Sequence, residues 1–143
     1  MVKDVQKIGD EFIHIGVVES GSIQDIQKVD ASINENSRKQ IQRNHTVTHL
    51  LHQALKEILG EHVQQAGSLV AAESLRFDLT HYEKISDSQI EEIETRVNSI
   101  ILQNKIVETE IKNYQEARKE GAVSLFGEKY GDVVRVVNVP GIS

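Results

Sequence analysis

The stretch Arg43-Asn44-His45-Thr46-Val47-Thr48-His49-Leu50-Leu51-His52 holds the densest set of reactive side chains in the sequence. At about 100° per residue of helix, His45, His49 and His52 fall within roughly 60° of one another. Two histidines one turn apart can each aim a ring nitrogen at a single divalent ion. Val47, Leu50, Ala54 and Ile58 gather on the opposite side. The helix therefore carries a core stripe and a separate histidine stripe, with Thr48 on the edge of the latter. Thr46 follows His45, so the general-base glutamate of the HExxH metalloprotease motif is absent. An i, i+4 histidine pair on a polar face is more often two solvated side chains than a metal site, and zinc needs a third protein ligand and usually a fourth. The chain has no Cys to offer, and His14, His62 and His81 qualify only if the fold brings one near. Spacing alone amounts to half a metal site.

The elements that must position these groups can be read from periodicity. Residues 1–36 are strand-rich: Phe12 to Val18 is rich in β-branched residues, and Lys28 to Ile33 alternates apolar and polar as a half-buried strand does. Ser37 and Gln40 have capping-box spacing and open a helix over about 37–60, which Gly60 can end in the left-handed conformation. Two strands follow within about 67–80, with Leu75, Phe77 and Leu79 on one face. A second capping pair, Ser86 and Gln89, opens a helix over about 86–104 whose apolar stripe is Ile90, Ile93, Val97, Ile100 and Ile101. A strand, a short helix (Tyr114 to Glu120, stopped by Gly121) and a last strand (Val133 to Val137) occupy about 106–139. Both the Ile90–Ile101 stripe and the Val133–Val137 run read as core. Strands and helices mix without strict alternation, so the expected class is α+β: a two-layer sandwich with a mixed or antiparallel sheet and helices on one face.

Composition bounds the possibilities. The chain has 143 residues, enough for one domain with a real core. A 38% hydrophobic share beside a 27% charged share fits a folded, soluble chain. No apolar run approaches the roughly 18 residues of a membrane span, and no signal-peptide pattern opens the sequence. With 16 Lys+Arg against 22 Asp+Glu, the net charge of −6 argues against a broad nucleic-acid-coating surface. A local basic patch can still contact phosphate.

The histidine stretch closely resembles the editing domain of alanyl-tRNA synthetase, whose Arg-Asn-His-Thr-x-Thr-His-Leu-Leu segment is matched by Arg43 to Leu51. The resemblance continues through nearly the whole chain. It takes in Asp4-Val5-Gln6-Lys7, Leu55-x-x-x-Leu59-Gly60-Glu61-His62-Val63, Gln65-x-Gly67-Ser68, Leu75-Arg76-Phe77-Asp78, Phe126-Gly127-Glu128-Lys129-Tyr130-Gly131 and Val134-Arg135-Val136. HxxxH alone is weak; these motifs in this order are specific. The resemblance implies a two-layer α/β module that hydrolyses tRNA(Ala) mischarged with serine or glycine. It is shared with free-standing trans-editing proteins and with the threonyl-tRNA synthetase editing domain.

His45 and His49 match two of the family's zinc ligands. The other two belong to a Cys-Gly-Gly-Thr-His segment that would follow Ser143, and a Gly-Gly-rich strand region would precede the Asp-Val-Gln-Lys match. The expectation is most of an editing domain, truncated at both ends and weakly metallated or apo. Gln65 matches a residue of the family's editing pocket, and Thr48, beside the histidines, can hydrogen-bond a small polar substrate side chain. Arg43, Lys129 and Arg135 are the candidates for the acceptor end of tRNA(Ala). ATP would be used only by the parent enzyme's separate aminoacylation domain. Neither DNA nor membrane is an expected partner, and the expected location is cytoplasmic. A free-standing trans-editing hydrolase and a non-catalytic module binding RNA or a partner are the alternatives.

Overall fold

A computed structural model describes residues 1–24, 28–122 and 131–142. The chain divides into two compact units, Met1–Ile33 and Asn34–Ser143.

The first unit is an antiparallel hairpin of β1 (Val2–Ile8) and β2 (Glu11–Gly16). Ile8 pairs with Glu11, leaving a two-residue turn in which Gly9 has φ 63°. A positive φ there lets the turn follow the right-handed twist of the strands, and glycine adopts it without a Cβ clash. The ends are tied by Met1 and Val17, each backbone nitrogen donating to the other's carbonyl at 2.6 and 2.9 Å. The strand expected over Lys28–Ile33 does not form: residues 28–33 carry no ladder, and Val29 and Ile33 are 72% and 68% exposed. Alternation is a necessary signal for a strand. Without a partner ladder the backbone groups have nothing to pair with.

The second unit begins with α1 (Glu35–Leu59). Its N-cap is Asn34, whose side-chain oxygen accepts the Ser37 backbone N–H at 3.0 Å. Ser37 is thus the third helical residue and not the cap, because Asn34, about three turns ahead of His45, takes the orphan amide first. Gly60 closes the helix at φ 115°, ψ 158°, outside the left-handed helical well but still in the territory of glycine. The sharp exit lets Val63 fold under the helix, where it is fully buried.

The β3 (Gln65–Val70) and β4 (Leu75–Leu79) ladder is antiparallel, with a bulge between Gln65 and Gly67. Next comes α2 (Asp87–Leu102), started by the expected capping box in which Ser86 and Gln89 satisfy each other's backbone N–H. Strand β5 (Glu108–Asn113) leads directly into α3 (Tyr114–Lys119), and β6 (Val133–Asn138) returns antiparallel to β5, Ile111 opposite Arg135. The class is α+β, as the periodicity predicts; the described residues hold three helices and antiparallel sheets of two strands each.

Leu50, Ala54 and Leu55 of α1 meet Ile93, Val97 and Ile100 of α2, with Val63 and Val139 completing the buried cluster. Each leucine, isoleucine or valine among them stabilises the fold by about 1.5–3 kcal/mol through removal from water. Phe77 and Leu79 of β4 pack on the same cluster. Ile90 and Ile101, read from the sequence as core, flank it at 44% and 46% exposure. Helices α1 and α2 are also joined by a bidentate pair: Arg96 donates to Glu57 at 2.6 and 3.1 Å, which holds the Glu57 carboxyl below its ordinary range.

Candidate functional site

Helix α1 brings His45 and His49 together on its solvent side. Their ring centres are 5.0 Å apart and the planes meet at 73°. Two imidazoles bound at about 2.0–2.1 Å to one tetrahedral zinc would have centres about 5 Å apart, so the pair has the spacing of two tetrahedral ligands. The His49 imidazole is held below its ordinary pKa. Desolvation by its neighbours is the main cause, with further lowering by the nearby His45 and His52 rings. A neutral ring is the metal-binding form. Among the described residues no group of three or more His, Cys, Asp or Glu side chains is placed to hold a metal ion. The donor set present thus fits two positions of a zinc site.

His52 leaves this face. It is 9% exposed, lies 5.4 Å from the Phe77 ring and belongs to the buried side of α1. The correction is angular: at 20° from His45 and 60° from His49 by the ideal 100° step, a small rotation of the stripe places the third histidine under β4. Its Nε2 atom is buried with no hydrogen-bond partner among the described residues.

Thr48 is buried, and its hydroxyl donates to the Asn44 carbonyl one turn back at 2.9 Å. The proton is committed there, so the oxygen is left as an acceptor. Asn44, which residue spacing does not single out, ties the helix to the β3–β4 turn: its amide donates to the Ala71 and Ala72 carbonyls at 2.7 and 3.2 Å. A carboxamide in the middle of an amphipathic helix is the signal that could have found it. The two bonds fix the turn beside the residue that precedes His45.

The remaining candidates are more scattered. Gln65 sits at the start of β3, partly buried, and its amide donates to the Ser68 hydroxyl at 3.0 Å. Arg43 is exposed on α1, whereas Arg135 is on β6 with a guanidinium nitrogen 3.5 Å from the Thr109 hydroxyl. Lys129 lies outside the described residues, as do Phe126 to Tyr130 of its motif. His14 belongs to β2 of the first unit, and His62 and His81 pair with each other. No helix among the described residues is long and apolar enough to cross a membrane.

No family model matches the chain. Individual curated proteins do match, along nearly all of it. An alanine–tRNA ligase of Thermoanaerobacter sp. (strain X514) is 56% identical over 142 residues, covering 99% of this chain and 16% of the relative. One from Clostridioides difficile (strain 630) is 52% identical over 126 residues, 88% of this chain and 14% of the relative. A third, from Roseiflexus sp. (strain RS-1), is 51% identical over 139 residues, 96% of this chain and 15% of the relative. Identity at this level along 88–99% of the sequence means common descent and a shared backbone, so the chain belongs with the alanine–tRNA ligases as the counterpart of a segment that makes up 14–16% of their length.

Proposed function

We propose that this chain is an editing module: it hydrolyses the ester of tRNA(Ala) carrying serine or glycine, in the service of an enzyme that attaches alanine using ATP. The observation that carries the reading is the His45–His49 pair on the solvent face of α1, at the spacing of two zinc ligands and on the same helix as the buried Thr48. Hydrolysis of an aminoacyl ester needs a positioned water, a group that holds the substrate and stabilisation of the developing oxyanion. His45 and His49 would hold a zinc ion, which supplies Lewis acidity when bound. Thr48, with its proton committed to Asn44, offers an acceptor to a substrate hydroxyl or ammonium. A site organised around a serine hydroxyl discriminates against alanine, because its own polar groups go unpaired when the hydroxyl is missing. Gln65, whose amide nitrogen donates to the Ser68 hydroxyl, would accept from the substrate amino group through its side-chain carbonyl. Arg43, Lys129 and Arg135 are the proposed contacts to the acceptor end.

Two protein ligands bind zinc far more weakly than four, since water must fill the open positions. The chain alone should therefore lose zinc on dialysis, and stoichiometric zinc by elemental analysis would contradict the reading. Deacylation of Ser-tRNA(Ala) is the functional test, run on this chain and on a version carrying the family's Cys-Gly-Gly-Thr-His segment. Activity confined to the second supports the editing module. Full activity of the chain alone would make it a free-standing hydrolase, and none in either would leave a non-catalytic binding module.

A further inference from the structure

A second ring cluster stands at the open end of the β3–β4 ladder, away from the turn that Asn44 holds. His62 precedes β3, and His81 and Tyr82 follow β4. His62 Nε2 and His81 Nδ1 are 2.9 Å apart, while the ring centres are 5.2 Å apart and the planes differ by 20°. For so short a contact, that separation of centres requires the two nitrogens to face each other along the line between the rings. The pair is thus an edge-to-edge N–H···N hydrogen bond; lone pairs converging on an ion would draw the centres closer. The Tyr82 ring centre is 5.7 Å from that of His62, again with planes 20° apart.

The His62 plane thus lies within 20° of each of the other two; His62 and Tyr82 are exposed, Tyr82 at 89%, and His81 is half-buried beside them. Their footing is fixed. The Thr80 backbone N–H donates to the Gln64 carbonyl at 2.9 Å, and the Gln64 N–H donates to the Thr80 hydroxyl at 3.1 Å. Gly60 leaves room for the ring, since a Cβ there would lie 2.9 Å from His62 Nδ1.

A tyrosine this exposed gains little by aligning with an imidazole, yet a flat aromatic surface on a fixed footing is what an unpaired nucleobase stacks upon. We propose that the His62–His81–Tyr82 cluster is a stacking surface for an unpaired base of the RNA partner, with Tyr82 as the ring that touches it. The inference rests on the RNA-acting function proposed above. Glu61 is paired with Lys56 at 3.7 Å and Glu83 is followed by Lys84, so no surplus of positive charge draws phosphate there and the contact is through the face of the base. Its contribution should consequently depend little on salt.

The test is fluorescence anisotropy of tRNA(Ala), and of a single-stranded oligoribonucleotide of its 3′ end, with the wild-type chain, Tyr82→Ala and Tyr82→Phe. Loss of the ring should weaken binding about tenfold, the usual scale of one base–aromatic stack. Tyr82→Phe should bind within about twofold of wild type, and the slope of affinity against salt should be unchanged. Equal affinity for wild type and Tyr82→Ala would overturn the stacking proposal while leaving the editing function to its own deacylation test. Equal losses in Tyr82→Ala and Tyr82→Phe would also overturn it, by assigning the effect to the hydroxyl. No RNA binding by wild type would overturn the stacking proposal, and deacylation by the longer version would still decide the editing function separately.

Discussion

Acidification should loosen this fold through His52. Burial holds the imidazole below the ordinary histidine pKa of about 6.5; a backbone hydrogen bond at Val63 opposes this, and the Lys56 charge adds to it. Because the folded chain binds this proton less tightly than the unfolded chain, the stability attached to His52 is fully present above about pH 6.5. It is lost as pH falls through the folded-state pKa. Each tenfold difference in proton affinity between the two states is worth about 1.4 kcal/mol, and one such step lowers the Tm of a domain this size by about 4 °C.

The perturbation is His52→Leu, which fills the space beside Phe77 and removes both the titration and the unpaired Nε2. Relief of a buried unsatisfied nitrogen, about 1–3 kcal/mol, offsets loss of the Val63 hydrogen bond, about 1 kcal/mol. At pH 8 the variant should match or exceed wild type, and its advantage should widen as pH falls. Thermal unfolding followed by circular dichroism from pH 8 to pH 5.5 measures both slopes. Parallel profiles for wild type and variant would refute the assignment to His52. A variant more than about 3 kcal/mol less stable at pH 8 would show that the ring makes bonds its environment does not suggest.

Two further predictions concern the frame of the site. Asn44→Ala removes both hydrogen bonds to the β3–β4 turn and should cost about 1–2 kcal/mol in thermal unfolding; Asn44→Asp, which cannot donate, should cost no less. At the start of α1, Asn34→Ala should lower stability by about 1 kcal/mol while Ser37→Ala stays within about 0.5 kcal/mol, and the reverse order would move the cap.

What could be read in advance follows from the range of the forces involved. Ser86 and Gln89 were legible because a capping box is a local exchange between residues three apart, and the Leu50–Ala54 side of α1 because periodicity alone defines it. Asn34 displaced Ser37 because two cap-forming residues stood three apart, and spacing could not rank them. The alternation of Lys28–Ile33 failed for want of a partner, a property of other residues entirely. His52 was lost from the histidine stripe by a few tens of degrees, and β4, packed against that edge of α1, decides the matter. The hydrogen bond of His62 to His81 spans 19 residues, and only the closed ladder between them brings the rings together.

The two-strand width of the described sheets has a consequence for isotope exchange. With no interior strand, about half of the backbone amides in each ladder point outward, away from the partner. Deuterium should thus enter β3–β4 and β5–β6 in an alternating pattern, every second amide exchanging early even while the fold stays intact. Slow exchange should instead run unbroken through the buried turns of α1 and α2. Any neighbour that adds a strand to one of these edges would announce itself by silencing the early set on that strand alone.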